Sequence, residues 1–418
     1  MRTIHLLRKL DPDAWGGTEM ALQRLFDSLR AQGVQSVVYC PRLDAPARAA
    51  ADPIAQSGHD VRRFKAFVPV LGMPEIRKRQ LISVGGNLMS FDLIPSLWRE
   101  DSPSVVHTHT LGRIGAIART FARQRRAAFV VTIHGGVLDL PRKVKEAFNE
   151  PIRDGFEWGK LFGLLFRSNR VFHDADAILT CNPKEASLWR EKFPEKRVVV
   201  QPHGVEFERY EKDCRAAALE AFPRIKDRQL LVCLGRVDPI KNQAWLLEQA
   251  AGIFKEHPQS ILVFAGPCTD EPYGAALDRR IQELGLGGRI LLTGGLPPND
   301  ARLIGLLQLA AALILPSVSE TFGLVIIEAW AAGAPVLCSG TSGATALVKP
   351  GENGFLFDLE RPATFHEALR ATLADPQRAR RMAQSGREQA RENFSLGALA
   401  ARMKRLYIEL MEEKLCTT

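Results

Sequence analysis

Ala311-Ala312-Leu313-Ile314-Leu315-Pro316-Ser317-Val318-Ser319-Glu320-Thr321-Phe322-Gly323-Leu324-Val325-Ile326-Ile327-Glu328 reads as one unit of strand, break and helix. Ala311 to Leu315 is continuously apolar, as a strand covered on both faces must be. Val318 continues that character, and Pro316-Ser317 interrupts it. From Gly323 onward Leu324, Ile327, Glu328 and Trp330 fall at helical spacing. A helix start presents unpaired N–H groups and a partial positive charge, which suits a phosphate. Glu320 stands just before that start and Glu328 about two turns inside it. At roughly 1.5 Å per residue the two acids would stand about 12 Å apart. That span suits a nucleotide-sugar, with sugar hydroxyls at one acid, diphosphate at the amides and ribose at the other acid. An ordinary helix with an acid near its first turn fits the same residues, because the helix dipole favours one there.

Working outward, the same alternation of strand and helix runs through the whole chain. In the first half the apolar runs are Thr3–Leu7, Ser36–Cys40, Ser104–His107, Ala128–Ile133, Ala177–Thr180 and Arg197–Gln201. In the second they are Gln229–Leu234, Ser260–Ala265, Arg289–Thr293, Ala311–Leu315, Ala334–Cys338 and Gly354–Phe357. Between Gly16 and Gly33, Leu22, Leu25, Phe26 and Leu29 mark one face of a helix that Gly33 stops. Apolar strands alternating with helices imply parallel sheets covered on both sides, and the series occurs twice. The fold class is therefore α/β, with two doubly wound domains joined within Glu206 to Arg228. Leu396 to Lys414 forms one amphipathic helix, with Leu399, Met403, Leu406 and Tyr407 on a stripe. Ligands of such sheets bind outside the strand carboxyl ends, where Gly16, Gly17, His107, His109, His134, Arg236 and Glu320 fall, so the expected site is an interdomain cleft.

Composition narrows the class further. The chain has 418 residues, enough for two cores, with 46% hydrophobic and 25% charged residues, ordinary for a globular protein. Its longest apolar run, Leu303 to Pro316, is too short to span a bilayer, and Met1 to Leu7 lacks the features of a secretion signal. The 7 cysteines are scattered and never form a Cys-x-x-Cys pair, which points away from disulfides and zinc and toward a reducing cytoplasm. A net charge of +9 calls for an anionic partner. Nucleic acid is excluded on the lack of a recognisable module and of stacking aromatics. Arg113, Arg119, Arg123, Arg125 and Arg126 mix with Ile114, Ile117 and Phe121 at helical spacing, which fits a helix lying on an anionic membrane or a plain surface helix. Arg142, Lys143 and Lys145 form a second basic cluster.

Gly235-Arg236-Val237-Asp238-Pro239-Ile240-Lys241-Asn242 follows the first strand of the second series. A rigid guanidinium fork and a mobile ammonium on one loop can both reach a diphosphate and stabilise it as it departs. Trp15-Gly16-Gly17-Thr18-Glu19 lets backbone approach a ligand at a helix start, or is only a tight turn. His134, between Thr132-Ile133 and Gly135-Gly136, stands at a strand end, where it would donate to a sugar hydroxyl, stabilise charge at an anomeric carbon, or serve structure. His107 and His109 make another strand-end pair, with no acidic or cysteine partner to complete a metal set. Asp11-Pro12-Asp13 reads as a loop, Asp174-Ala175-Asp176 as a cap before a strand, and Arg77 to Asn87 as a polar loop.

These marks resemble family 4 of the retaining GT-B glycosyltransferases, over nearly the whole chain. The resemblance rests on Gly16-Gly17, Thr132-x-His134, Pro202-His203-Gly204-Val205, Gly235-Arg236 with Lys241, Thr293-Gly294, Ser319-Glu320-x-Phe322-Gly323 through Glu328, and Asn353-Gly354. It implies two Rossmann-like domains, residues 1–207 with the tail helix 396–418, and residues 208–395. It implies that Glu320 holds the donor sugar, Glu328 the ribose, and Phe322, Gly323, Leu324 and Gly294 line the donor. Arg236 and Lys241 would neutralise the diphosphate, Gly16 and Gly17 would close on it, and His134 would assist beside the transferred sugar. No metal or other cofactor is expected. One departure stands out: Ala346 precedes Leu347-Val348 where the family often has a glutamate.

The expected activity moves a sugar from a nucleoside diphosphate, UDP on family frequency, to a saccharide or lipid-linked hydroxyl acceptor in surface-polysaccharide or glycolipid synthesis. The expected place is the cytoplasm, at the inner membrane face. A nucleotide-sugar epimerase, or a binding protein without catalysis, shares the same architecture.

Overall fold

The computed structural model describes residues 1–12, 16–42, 52–84, 86–101, 103–140, 157–297 and 299–416. Asp13, Trp15, Gly85, Arg142, Lys143 and Lys145 lie outside the described residues. The chain divides into two compact units, Met1–Pro202 with Leu396–Thr418, and His203–Ser395. The division falls a few residues ahead of the 207/208 boundary read from sequence.

The first unit is built on a parallel sheet of β1 (Arg2–Leu6), β2 (Gln35–Pro41), β3 (Asp60–Phe64), β4 (Val105–Thr108), β5 (Ala128–Ile133), β6 (Ala177–Thr180) and β7 (Arg197–Val200). Their order is β3-β2-β1-β4-β5-β6-β7. Strands β4, β5 and β6 are buried at every residue, which is why they read as unbroken apolar runs. Strand β3 escaped the sequence reading. As an edge strand it needs little apolar cover, and its charges are placed: Arg62 pairs with Asp60 at 2.8 Å and Arg63 with buried Asp52 at 2.6 Å. The segment read as a polar loop, Arg77 to Asn87, is mostly the helix Glu75–Val84.

The helix Gly112–Gln124 corrects the membrane reading of its arginines. Ile114, Ile117 and Phe121 are buried, but so are Arg113 and Arg119. Arg113 bonds Glu157 at 2.8 Å, and Arg119 bonds Asp174 at 2.6 Å through Nε. Arg123 and Arg170 also reach Asp174, at 2.9 and 3.0 Å. Burial raises the Asp174 pKa, but the bonds from Arg170, Arg119 and Arg123 outweigh it and hold the carboxyl near 2. Asp176 accepts from the Phe129 amide at 2.8 Å, so this acidic pair is structural rather than a metal motif.

The tail helix Leu396–Cys416 belongs to the first unit. Its Ala400, Met403, Leu406, Tyr407 and Leu410 share a core with Val105, Val130, Ala177 and Leu179 of the sheet. Each such large side chain contributes about 1.5–3 kcal/mol on burial, which secures the tail helix to strands β4, β5 and β6.

The second unit has β8 (Gln229–Leu234), β9 (Ser260–Ala265), β10 (Ile290–Gly294), β11 (Ala310–Leu315), β12 (Val336–Ser339) and β13 (Phe355–Phe357). The order is β10-β9-β8-β11-β12-β13, again parallel. Val318 is 41% exposed and lies beyond β11 rather than in it. The following helix is Leu324–Ala332, so Glu328 sits about one turn inside it, not two. Trp330 of that helix donates to the Asn353 carbonyl at 2.9 Å. A Cβ on Gly386 would come within 2.5 Å of the Trp330 ring, so only glycine lets the helix Pro376–Phe394 close on it. Ala346 is exposed on the short helix Ser342–Leu347, which forms without the glutamate seen in the family.

In each sheet the strand order reverses once, between β1 and β4 and between β8 and β11. Chains leaving such neighbours turn to opposite faces and open a crevice at their carboxyl ends. Among the described residues, no helix is long and apolar enough to cross a membrane.

Candidate functional site

In the second unit the loops after β8 and β11 flank the reversal. Gly235 and Gly266 follow β8 and β9 with φ of +152° and +146°. A Cβ on Gly266 would lie 2.1 Å from the Gly235 carbonyl oxygen, so the two backbones approach as only glycine allows. The Arg236 carbonyl next accepts from the Gln243 side chain at 2.8 Å. The Lys241 amide donates to Asp238 at 2.9 Å. Across the reversal, the Val318 amide donates to the Ile240 carbonyl at 2.9 Å, and the Asn242 side chain to the Pro316 carbonyl at 3.1 Å. These bonds stitch the two loops into one surface.

That stitching brings Arg236, Lys241 and Glu320 together. Lys241 Nζ meets Glu320 Oε2 at 2.5 Å, and Arg236 Nη2 meets Asp238 Oδ2 at 2.9 Å. Two cations thus stand beside two carboxylates, each cation held by one acid. Asp238 orients both the Arg236 guanidinium and the Lys241 backbone. Lys241 and Glu320 are 17% and 19% exposed, so solvent screens their pair only partly.

Beyond Glu320 the backbone is tightly packed. Gly323 caps the helix at φ +91°, a conformation suited to glycine. Gly343 donates its amide to the Glu320 carbonyl at 2.7 Å. Phe322 is buried, with its ring edge-on to His203 and Phe394 at 5.2 and 5.6 Å, so its side chain is structural and only its backbone is offered. Leu324 opens the helix, and Glu328 is almost wholly buried on it. Gly294, exposed at the end of β10, accepts from the Gly266 amide at 3.2 Å.

In the first unit Gly16 precedes the helix Gly17–Ala31, and its amide donates to the Glu19 carboxylate at 3.1 Å. His134 follows β5. Glu185, buried on the helix Pro183–Lys192, accepts from the amides of Val137, Leu138 and Asp139 at 2.9, 3.0 and 2.8 Å. It thereby holds the chain leaving His134-Gly135-Gly136. Sequence reading missed this carboxylate; Asn182 two residues after a strand and Glu185 three residues later are the capping pattern that could have flagged it.

His5 was also missed. It is the register partner of His107 across β1 and β4, so both rings point to one face. His5 Nδ1 lies 3.0 Å from His109 Nε2, and His109 Nδ1 lies 2.8 Å from His134 Nε2. His107 bonds the Tyr407 hydroxyl and Thr132, each at 2.6 Å. Burial drives the His5 pKa down to about 3, helped by His59, and drives that of His107 well below its usual value. His5, His107 and His109 bring ring nitrogens within 4.8 Å of one another, the third member that the His107/His109 pair lacked in sequence. Both nitrogens of His107 are already bonded, and His5 and His109 share a proton at hydrogen-bond distance. These donor atoms are thus engaged in hydrogen bonds within the protein.

Two doubly wound units, each with polar side chains gathered at its strand ends, define an α/β protein of the GT-B kind. Residues 15–209 match the family described as Glycosyltransferase Family 4, and residues 216–389 match Glycosyl transferases group 1. The chain belongs to this glycosyltransferase family. D-inositol 3-phosphate glycosyltransferase of Nocardia farcinica is 31% identical over 224 residues, covering 51% of this chain and 48% of that protein. Its counterpart in Streptomyces scabiei is 31% identical over 252 residues, 58% of this chain and 56% of that one. The chain therefore spans about half the length of the curated relatives it matches. Among solved structures, Anabaena HepE in complex with UDP has a TM-score of 0.74 at 17% identity, covering 98% of this chain and 100% of that one. Sucrose-phosphate synthase from Thermosynechococcus elongatus also gives 0.74, at 22% identity, covering 99% and 100%. At these identities the likeness is one of fold.

Proposed function

We propose that this chain is a retaining glycosyltransferase that moves a sugar from UDP to a hydroxyl acceptor, saccharide or lipid-linked, in surface-polysaccharide or glycolipid assembly. The observation that carries this reading is the joining of Arg236, Lys241 and Glu320 on one surface at the sheet reversal. The family supports transfer, and HepE, solved with UDP and with UDP-glucose, supports the choice of base.

In this mechanism an incoming diphosphate competes with Glu320 for Lys241. The ammonium turns to phosphate, and the released Glu320 carboxylate accepts hydrogen bonds from the donor sugar. The bond from the anomeric carbon to the phosphate oxygen breaks as the acceptor oxygen bonds to that carbon on the same face. The acceptor proton passes to the leaving phosphate oxygen. Negative charge grows on the departing diphosphate, where the Arg236 fork and the Lys241 ammonium stabilise it. Two side-chain cations fill the part a divalent ion plays elsewhere, so the reaction is proposed to run in a chelator. The resemblance assigns Glu328 to ribose, the Phe322–Leu324 backbone and Gly294 to the donor, Gly16 and Gly17 to the diphosphate, and His134 to the transferred sugar.

Membrane contact is proposed from a different element than the arginine helix. None of the helix Lys160–Leu165 is buried, and Leu161, Leu164 and Leu165 are 72%, 75% and 70% exposed. Exposed Lys160 and Arg167 flank them, a pairing of apolar and basic groups that suits an anionic lipid face on the cytoplasmic side.

The test is a thermal-shift screen of UDP-, GDP- and ADP-sugars with EDTA present. A donor at a hundred times its Kd stabilises the folded state by about 2.7 kcal/mol, a rise of roughly 5–10 °C for a domain of this size. Lys241→Ala is expected to remove most of that rise. If no nucleotide-sugar moves the midpoint, the reading fails. Conversion of the sugar without an acceptor would identify an epimerase instead.

A further inference from the structure

Of the polar groups in the first unit, the buried histidines are the ones that packing alone does not explain. An interior face of a parallel sheet is expected to be apolar, yet β1, β4 and β5 place Thr3, His5, His107 and Thr132 there, all buried. A polar group in such a place must be hydrogen-bonded, and these are. The bonds run in one direction. Thr3 Oγ1 lies 3.1 Å from His5 Nε2, His5 Nδ1 lies 3.0 Å from His109 Nε2, and His109 Nδ1 lies 2.8 Å from His134 Nε2.

A neutral imidazole has one N–H and one lone pair, so each ring in such a line dictates the tautomer of the next. Thr3 Oγ1 lies 3.3 Å from both the Gln35 carbonyl and the Ser36 hydroxyl; the carbonyl can only accept, so we assign the Thr3 proton to it. With its single proton committed, Thr3 accepts from His5 Nε2–H. His5 Nδ1 is then a lone pair and accepts from His109 Nε2–H, and His109 Nδ1 accepts from His134 Nε2–H. We infer that Thr3, His5 and His109 form a line of positioning residues that holds His134 in its Nε2–H tautomer, with the Nδ1 lone pair left as an acceptor.

His5 at the buried end of the line stays neutral. Burial keeps His5 unprotonated to about pH 3, and the neighbouring His59, paired with Asp27 at 2.8 Å, adds like-charge repulsion. The edge of Phe26 closes on the His5 ring at 4.7 Å. The His107 ring lies 4.1 Å from that of His109, tilted by 31°, without joining the line, because Tyr407 and Thr132 occupy its two nitrogens. The consequence for catalysis rests on the transferase reading. A His134 whose Nε2–H is spent on His109 does not donate that proton to a sugar hydroxyl, and its Nδ1, buried in this structure, carries a lone pair that can only accept.

The tautomer itself is read without any donor. Uniformly labelled protein with 15N-histidine is examined by long-range 15N–1H correlation near pH 7.5, with His134 assigned from its loss in His134→Gln. The expected wild-type result is one His134 pattern, Nε2 protonated and Nδ1 not. Thr3→Val keeps the shape but removes the far anchor, and is expected to shift His134 toward the Nδ1–H form although the two residues do not touch. His109→Phe cuts the line and is expected to give mixed tautomers. Near-UV circular dichroism confirms that each variant is folded; where His109→Phe does not fold, the wild type and Thr3→Val decide the matter. A wild-type His134 that is mixed or Nδ1-protonated overturns the inference, as does an unchanged His134 pattern in Thr3→Val. Failure of every nucleotide-sugar to turn over would sink the transferase reading and leave this measurement standing.

Discussion

Replacing Gly343 by alanine tests whether the backbone under Glu320 is as closely packed as the geometry requires. A Cβ at Gly343 would stand 2.6 Å from the Phe322 nitrogen, 2.7 Å from its carbonyl carbon and 2.8 Å from the Glu320 oxygen. Ordinary contact begins near 3.4 Å, so the Glu320–Phe322 segment must retreat by 3.4 − 2.6 = 0.8 Å. All three obstacles are backbone, which has no rotamer to give way. Overpacking of this kind costs about 1–3 kcal/mol, and weakening the Gly343–Glu320 hydrogen bond adds about 1 kcal/mol. A total of about 2–4 kcal/mol lowers the midpoint of a domain of this size by roughly 5–15 °C. The functional loss should be larger than the stability loss suggests. A displacement near 1 Å can cost about a hundredfold in rate, and here it moves the carboxylate proposed to hold the donor sugar. Calorimetry and UDP release from the preferred donor measure the two effects at 20 °C, below the lowered midpoint. Gly340→Ala is the control, because nothing lies within 4 Å of a Cβ there. A Gly343→Ala protein with wild-type midpoint and turnover would refute the close approach and the placement of Glu320 that depends on it.

Acid should destabilise the fold earlier than carboxylate titration alone would. The folded pKa of His5, about 3, lies below its unfolded value of 6.5, so between the two only the unfolded chain takes up the proton. Stability is therefore whole above pH 6.5 and falls as the pH drops toward 3, by up to about 1.4 kcal/mol per pH unit for this ring, with His107 acting in the same direction. Urea midpoints that stay level from pH 7 to pH 5 would contradict this. In vesicle flotation, the protein should rise with phosphatidylglycerol and not with phosphatidylcholine, and the pair Leu161→Asp with Leu164→Asp should stay behind. Equal flotation of wild type and variant would remove the helix Lys160–Leu165 from any membrane role.

The strands of both sheets were legible because buried parallel strands are apolar along their whole length. Ala128–Ile133, Ala177–Thr180, Gln229–Leu234 and Ser260–Ala265 match the sequence reading end to end. Edge strand β3 was not, since Asp60, Arg62 and Arg63 obey no burial pattern. The helix Glu75–Val84 reads as a loop in sequence for a related reason: Arg77, Lys78, Arg79 and Gln80 give a local composition that fits either state. The arginines of Gly112–Gln124 misled in the opposite sense. Their spacing resembled an interfacial helix, and only the position of Asp174 and Glu157 shows that Arg113 and Arg119 point inward to partners.

Apolar runs, helical spacing and glycine positions are properties of neighbouring residues, and from them the chain alone determined two series of parallel strands and the loops that carry Arg236, Lys241, Glu320 and His134. What it left undetermined was which distant side chains meet. Lys241 and Glu320 are 79 positions apart, and His107 and Tyr407 are 300 apart. Strand order sets β8 beside β11, the packing of the tail helix on the sheet lays Tyr407 against His107, and the pairing of β1 with β4 sets His5 facing His107. A strand's own residues encode that it will be buried but not which strand it will lie against, because that choice depends on packing summed over the whole sheet. The histidine line and the paired charges at the sheet reversal were for that reason decided only in three dimensions.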